Sequence, residues 1–203
     1  MSSKEYFPTL IYYQELEQGG PGDFNAELLN ECKYYMDLDE AGHDWSEENY
    51  VGGYTSYSTI SNLNEISASF GELESKIRTH LNEYLNALCF DLKLEDLKMS
   101  DCWFNVMPAG VAHGLHLHPH SVISGTYYVQ TPMGSSGIKF EDPRLSKFML
   151  APSRKKDCPV KMKNFVSIPA KAGNLVLFES WLRHEVPAAE IEGERISVSF
   201  NFA

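Results

Sequence analysis

The strongest constraint on the fold is a change of period near residue 99. Before it, Phe70, Leu73, Ile77, Leu81, Tyr84, Leu85 and Leu88 recur at the spacing of one helical face, with charges such as Glu74 and Lys76 between them, which predicts a helix from Phe70 to Cys89. A second helix is predicted from Asp23 to Met36, with Leu28, Leu29, Cys32, Tyr35 and Met36 on one side and Asp23 or Asn25 as N-cap. The stretch Glu47 to Asn64 is rich in Gly, Tyr, Ser and Thr and reads as loop and short strand. After Asp101 the helical spacing vanishes. Short β-type runs follow one another, at residues 102–107, 121–130, 137–140, 165–169, 174–178 and 195–202, and seven of the ten prolines fall after His118, mostly between those runs. Such a series predicts a β-sandwich or barrel with the earlier helices packed against it. A length of 203 residues suits one domain, helix-bearing over 1–98 and β-rich over 99–203, so a site is expected in or at the mouth of the β structure.

Composition excludes several functions. With 43% hydrophobic and 22% charged residues the chain can bury a core, and no segment approaches the roughly 18 uncharged apolar residues of a membrane helix. The N-terminus lacks a basic stretch followed by an apolar run, so a cytoplasmic location is expected. A formal charge of -11 disfavours nucleic acid as a partner. Cys32, Cys89, Cys102 and Cys158 are scattered and read as free thiols. A homodimer is compatible with everything above.

The seven histidines are unevenly placed, because His113, His116, His118 and His120 fall within eight positions. On an extended backbone residues two apart face the same side, so His116 and His118 can reach one ion. The best distant third ligand is His184, while His43 and His80 suit surface roles. Imidazole serves iron, zinc, copper and nickel alike, and a histidine-rich surface loop is the plain alternative for so short a pattern. A second signal lies in the last strand, where Arg195, Ser197, Ser199 and Asn201 alternate with Ile196, Val198, Phe200 and Phe202. The polar face either meets water or lines a cavity; in the second case its guanidinium and hydroxyls form a carboxylate receptor. A metal beside a carboxylate clamp describes a chelating keto acid. Upstream, Trp103, Asn105 and Met107 share a face, and Asn105 is a candidate contact for cosubstrate or substrate.

In order, these residues carry a resemblance. The HxH pair, Ser124 to Val129, Gly173 to Phe178, His184 and Arg195-x-Ser197 resemble the iron(II)- and 2-oxoglutarate-dependent oxygenases, and the stretches Phe7 to Tyr13, Gly52 to Ser56 and His118 to Val129 resemble their bacterial and phage branch. The resemblance implies an α+β protein with a double-stranded β-helix core, a jelly-roll or cupin-like form, and N-terminal helices against it. It implies iron(II), 2-oxoglutarate as cosubstrate, O2, and hydroxylation of a substrate it does not identify. His116 matches the first metal ligand and His184 the distal one. His118 stands where relatives carry a carboxylate, so the set departs from two histidines and a carboxylate. Glu141, Asp142 and Glu185 are candidates to compensate from the outer shell. Arg195, assisted by Ser197 or Ser199, matches the grip on the distal carboxylate of 2-oxoglutarate, and Tyr128 resembles a cosubstrate-binding tyrosine, with Tyr127 facing the other way. Rival readings are a zinc hydrolase, which would want an aspartate just after the histidine pair, and a cupin-like binding protein without turnover. The basic run from Lys139 to Lys163 is either a solvated excursion or a lid for an anionic substrate, and residues 51–58 are a candidate rim.

Overall fold

A computed structural model describes residues 3–16 and 22–203. Strand β1 (Tyr12–Glu15) precedes helices α1 (Gly22–Leu38) and α2 (Glu40–Asn49), strand β2 (Tyr54–Thr55), the short helix α3 (Leu63–Ile66) and the long helix α4 (Ala68–Leu88). Then come β3 (Met99–Met107), β4 (His113–His116), β5 (Ile123–Gln130), β6 (Ile138–Glu141), β7 (Phe165–Ile168), β8 (Asn174–Glu179), β9 (His184–Val186) and β10 (Arg195–Phe202). They form a six-stranded sheet in the order β1-β8-β5-β10-β3-β2 and a four-stranded sheet in the order β4-β9-β6-β7. Without its edge strands β1 and β2 the larger sheet has four members, and each sheet alternates early and late strands, the double-stranded β-helix that the resemblance implies.

Both predicted helices form. Ser67 caps α4, its hydroxyl accepting from the Phe70 N–H at 3.2 Å, and Phe70, Leu73, Ile77, Leu81, Tyr84 and Leu85 are all buried. The side chain of Asp23, one of the two proposed caps of α1, lies outside the described residues; Asn25 instead sits within α1, where its side-chain carbonyl accepts from the Tyr127 hydroxyl at 2.9 Å. Helix α2 was not predicted. Its apolar positions are few, and its packing uses the small buried residues Gly42 and Ser46. Asp39 holds it in place: one carboxylate oxygen accepts from the Gly42 N–H at 3.0 Å, the other from the hydroxyls of Tyr54 at 2.7 Å and Thr59 at 2.5 Å.

The helices determine which way the last strand faces. Ile196, Val198, Phe200 and Phe202 join Phe70, Ile77 and Leu81 in the main core on the outer side of the larger sheet. Arg195, Ser197 and Asn201 are buried on its inner side, so the polar face does not meet bulk water. A smaller core of Tyr128, Ile138, Phe140, Val176, Phe178 and Leu182 fills one end of the space between the sheets. The other end stays open.

Candidate metal centre and anion receptor

The open end is where the histidines converge. His116 ends β4 and pairs in register with His184 at the start of β9. His118 lies just beyond β4, its N–H bonded to the Ser180 carbonyl at 3.0 Å. One ligand atom from each of His116, His118 and His184 lies within 4.8 Å of the others, and the Nε2 atoms of His118 and His184 are 3.3 Å apart. Two imidazoles bound to one ion at about 2.1 Å, with an angle of about 90–109° between them, would place their nitrogens about 3.0–3.4 Å apart. Carbonyl oxygens only accept, so His116 Nδ1 donates to Gly114 O at 2.7 Å and His184 Nδ1 donates to Leu182 O at 2.9 Å. Both rings therefore present the bare Nε2 lone pair, the form that binds a metal. Burial, reinforced by the nearby His116 ring, lowers His118 to about 4 and His184 to about 3, so both are neutral at pH 7.

The outer-shell carboxylates do not serve the centre. Glu141 pairs with Arg183 at 3.0 Å, Asp142 with Arg144 at 2.9 Å and Glu185 with Lys139 at 2.6 Å. The rings are oriented by backbone carbonyls, which sequence alone does not reveal because the acceptors are set by chain bends.

Arg195, at the start of β10, is 3% exposed. Its Nη1 donates to Ser197 Oγ at 3.2 Å and Met107 Sδ at 3.1 Å, its guanidinium carbon lies 5.0 Å from the centre of the Tyr128 ring, and its Nε has no partner. None of its ion-pair distances involves a protein carboxylate among the described residues. A buried cation without an acid partner is costly, so an anion is the missing partner. Ser197 shares a small chamber of about 60 Å³ with Arg195, Asn105 and the three histidines. Tyr128 is fully buried; its hydroxyl accepts from the Ile138 N–H at 3.4 Å, and its ring lies against the guanidinium. Tyr127 points oppositely into the main core, as parity predicts.

His113 was not among the ligands proposed from the sequence. The structure brings His113 into the wall: a register shift in β4 turns it inward, its ring packs tilted against that of Tyr50 with centres 4.4 Å apart, and burial lowers it to about 3. His113 Nε2 and Asn105 Oδ1 are buried without partners beside the same chamber, and Tyr50 Oη is buried without one beside the wider cleft that adjoins it. Asn105 was found by strand alternation; Tyr50 had no signal in the sequence, because α2 places it. His80 is structural rather than superficial, contacting the Tyr12 hydroxyl at 2.7 Å and Leu16 O at 2.9 Å.

Residues 101–201 match the family described as "Putative 2OG-Fe(II) oxygenase". The chain belongs to the 2OG-Fe(II) oxygenases. Membership decides against the zinc-hydrolase reading. Solved structures agree on the fold of this oxygenase. A prolyl-4-hydroxylase from Pseudomonas putida is 16% identical, with 96% of this chain and 92% of that one covered and a TM-score of 0.58. The epimerase SnoN of nogalamycin biosynthesis is 13% identical over 96% of this chain and 78% of its own, with a TM-score of 0.64. HygX from Streptomyces hygroscopicus is 13% identical over 96% and 82%, with a TM-score of 0.56. No curated protein matches. No helix among the described residues of this oxygenase is long and apolar enough to cross a membrane.

Proposed function

We propose that His116, His118 and His184 hold iron(II) in this oxygenase, and that Arg195, with Ser197 and Tyr128, holds 2-oxoglutarate. The carrying observation is the unpaired buried guanidinium of Arg195 in the same chamber as three imidazoles whose nitrogens suit one ion. Solved relatives support the pairing, since SnoN has been crystallised with Fe3+ and alpha-ketoglutarate and HygX with nickel and 2-oxoglutarate. When bound, the iron and cosubstrate supply the oxidising chemistry: O2 is consumed, 2-oxoglutarate becomes succinate and CO2, and oxygen is delivered to a C–H bond.

The chain's own residues bind, orient and exclude water. The two Nδ1–H bonds to Gly114 and Leu182 fix the ring planes before metal arrives, which lowers the entropic cost of assembling the centre. Arg195 offers its free Nε–H and remaining guanidinium donors to the distal carboxylate, Ser197 adds a hydroxyl, and the Tyr128 ring supports the guanidinium from its face. Phe140 and Phe178 pack on His184 with ring centres 5.9 and 4.6 Å away, closing that side to water. No protein nucleophile or general acid is required.

Replacing His116 or His184 by Ala is expected to abolish iron(II)-dependent formation of succinate from 2-oxoglutarate. Undiminished turnover in either variant would overturn the assignment. Arg195→Met is expected to retain metal while raising the Kd for 2-oxoglutarate at least tenfold, about 1.4 kcal/mol.

A further inference from the structure

The inner face of the larger sheet has a charge order. In the β10–β3 register Arg195 pairs with Met107, Ser197 with Asn105, Ser199 with Trp103 and Asn201 with Asp101. Each step is about 7 Å, so the guanidinium and the Asp101 carboxylate stand at opposite ends of a line about 20 Å long. The histidine cluster reaches over its middle, where the Trp103 ring lies 6.0 Å from that of His118. At the Asp101 end the space widens into a cleft of about 610 Å³, walled by Trp45, Tyr50, Tyr57 and Trp103 and reaching His118.

Three observations describe what this cleft accepts. No lysine or arginine lines it, and Asp101 is the one acidic side chain that does, among the described residues. The Asp101 carboxylate accepts from Ser100 Oγ at 2.9 Å and Asn201 Nδ2 at 3.0 Å, both neutral donors, so its charge is uncompensated and it has acceptor capacity left. Tyr57, half exposed, meets Trp103 edge-on at 4.9 Å, giving an aromatic wall beside the carboxylate. A carboxylate next to aromatic faces is a receptor for a cation. The basic run of residues 139–163 contributes no lining residue, so nothing here recruits an anion.

We propose that the substrate of this oxygenase carries an ammonium or guanidinium group, which docks between Asp101 and the Trp103–Tyr57 wall and thereby presents a neighbouring C–H bond to the metal centre. The inference rests on the oxygenase reading of the same site. A cleft of this size suits a small basic molecule or a single basic side chain of a larger one.

The test uses the full chain loaded with manganese(II), which does not turn over, and 2-oxoglutarate. Binding of arginine and lysine is compared with that of N-acetylcitrullinamide and N-acetylnorleucinamide, analogues that carry neither a side-chain cation nor an α-ammonium, by NMR or tryptophan fluorescence. Arginine or lysine is expected to bind at least tenfold more tightly than its analogue, the preference disappearing in Asp101→Asn and persisting in Asp101→Glu. If N-acetylargininamide binds as well as arginine, the cation comes from a side chain; if only the free amino acids bind, it comes from a small molecule. Equal binding of the neutral analogues, no binding of arginine or lysine at 10 mM, or a preference retained in Asp101→Asn overturns the proposal. Binding of 2-oxoglutarate is measured first in the same sample, so its absence sinks the oxygenase reading separately from the cation preference.

Discussion

Two backbone carbonyls decide which nitrogen of His116 and His184 faces the cavity, and burial keeps His184 neutral. His113, His118 and His184 are held at about 3, 4 and 3, below the ordinary 6.5, chiefly by burial. On acidification the unfolded chain takes up these protons before the folded one does. The stability that the neutral rings contribute is therefore complete above about pH 6.5 and is lost as the pH falls toward the folded values. Each ring can contribute up to about 1.4 kcal/mol per pH unit in that window. The metal-free protein is thus expected to show a falling Tm between pH 6.5 and 4.5, with a shallower fall in His113→Phe; a flat profile would contradict the burial argument. The HxH spacing made His118 visible in the sequence, together with His116. His113 was not, because strand parity from His116 sends it outward and only the register shift in β4 brings it back.

At the scale of elements, α4 was legible because its apolar side chains repeat along one face, and α2 was not because Gly42 and Ser46 pack by being small. The polar anchor of α2 is correspondingly important. Asp39 is buried and satisfies one backbone and two hydroxyl donors, so Asp39→Ala leaves the Tyr54 hydroxyl without its acceptor and uncaps the helix. A loss of about 2–4 kcal/mol is expected in urea unfolding. Because α2, the turn after it and the turn after β2 carry Trp45, Tyr50 and Tyr57, the same change should also weaken binding of arginine in the cleft. The last strand shows the opposite case: alternation sorted its residues into two faces correctly, yet could not tell which face meets water. Helix α4 covers the apolar one, and the smaller sheet covers the polar one.

For the molecule as a whole, the two sheets close around groups that lack partners, and filling those vacant bonds should be visible as stability. Manganese(II) and 2-oxoglutarate, each at about 100 times its Kd, are expected to add about 2.7 kcal/mol apiece. For a chain of this size each raises Tm by about 5–10 °C in a thermal melt. In Arg195→Met the increment due to 2-oxoglutarate should vanish while that due to metal persists; equal increments in both proteins would remove Arg195 from the cosubstrate site. The charge of -11 is not evenly spread either. In the basic run from Lys139, three cations are paired with acids, Lys139 with Glu185, Arg144 with Asp142 and Lys161 with Glu5, whereas Asp101 meets only neutral donors in the cleft.

The sequence by itself determined the two longer helices and the switch to strands after them, the helical face of α4, the two faces of the last strand and the shared side of His116 and His118, since each depends on spacing along a local backbone of known period. Only the tertiary structure decided that the polar strand face is enclosed, that backbone carbonyls aim the rings, that Tyr50 and His113 join the wall, and that Arg195 lines the chamber while Asp101 lines the cleft beside it. Those outcomes depend on which sheet covers which face and on bends that bring distant carbonyls together, and neither leaves a periodic mark in the chain.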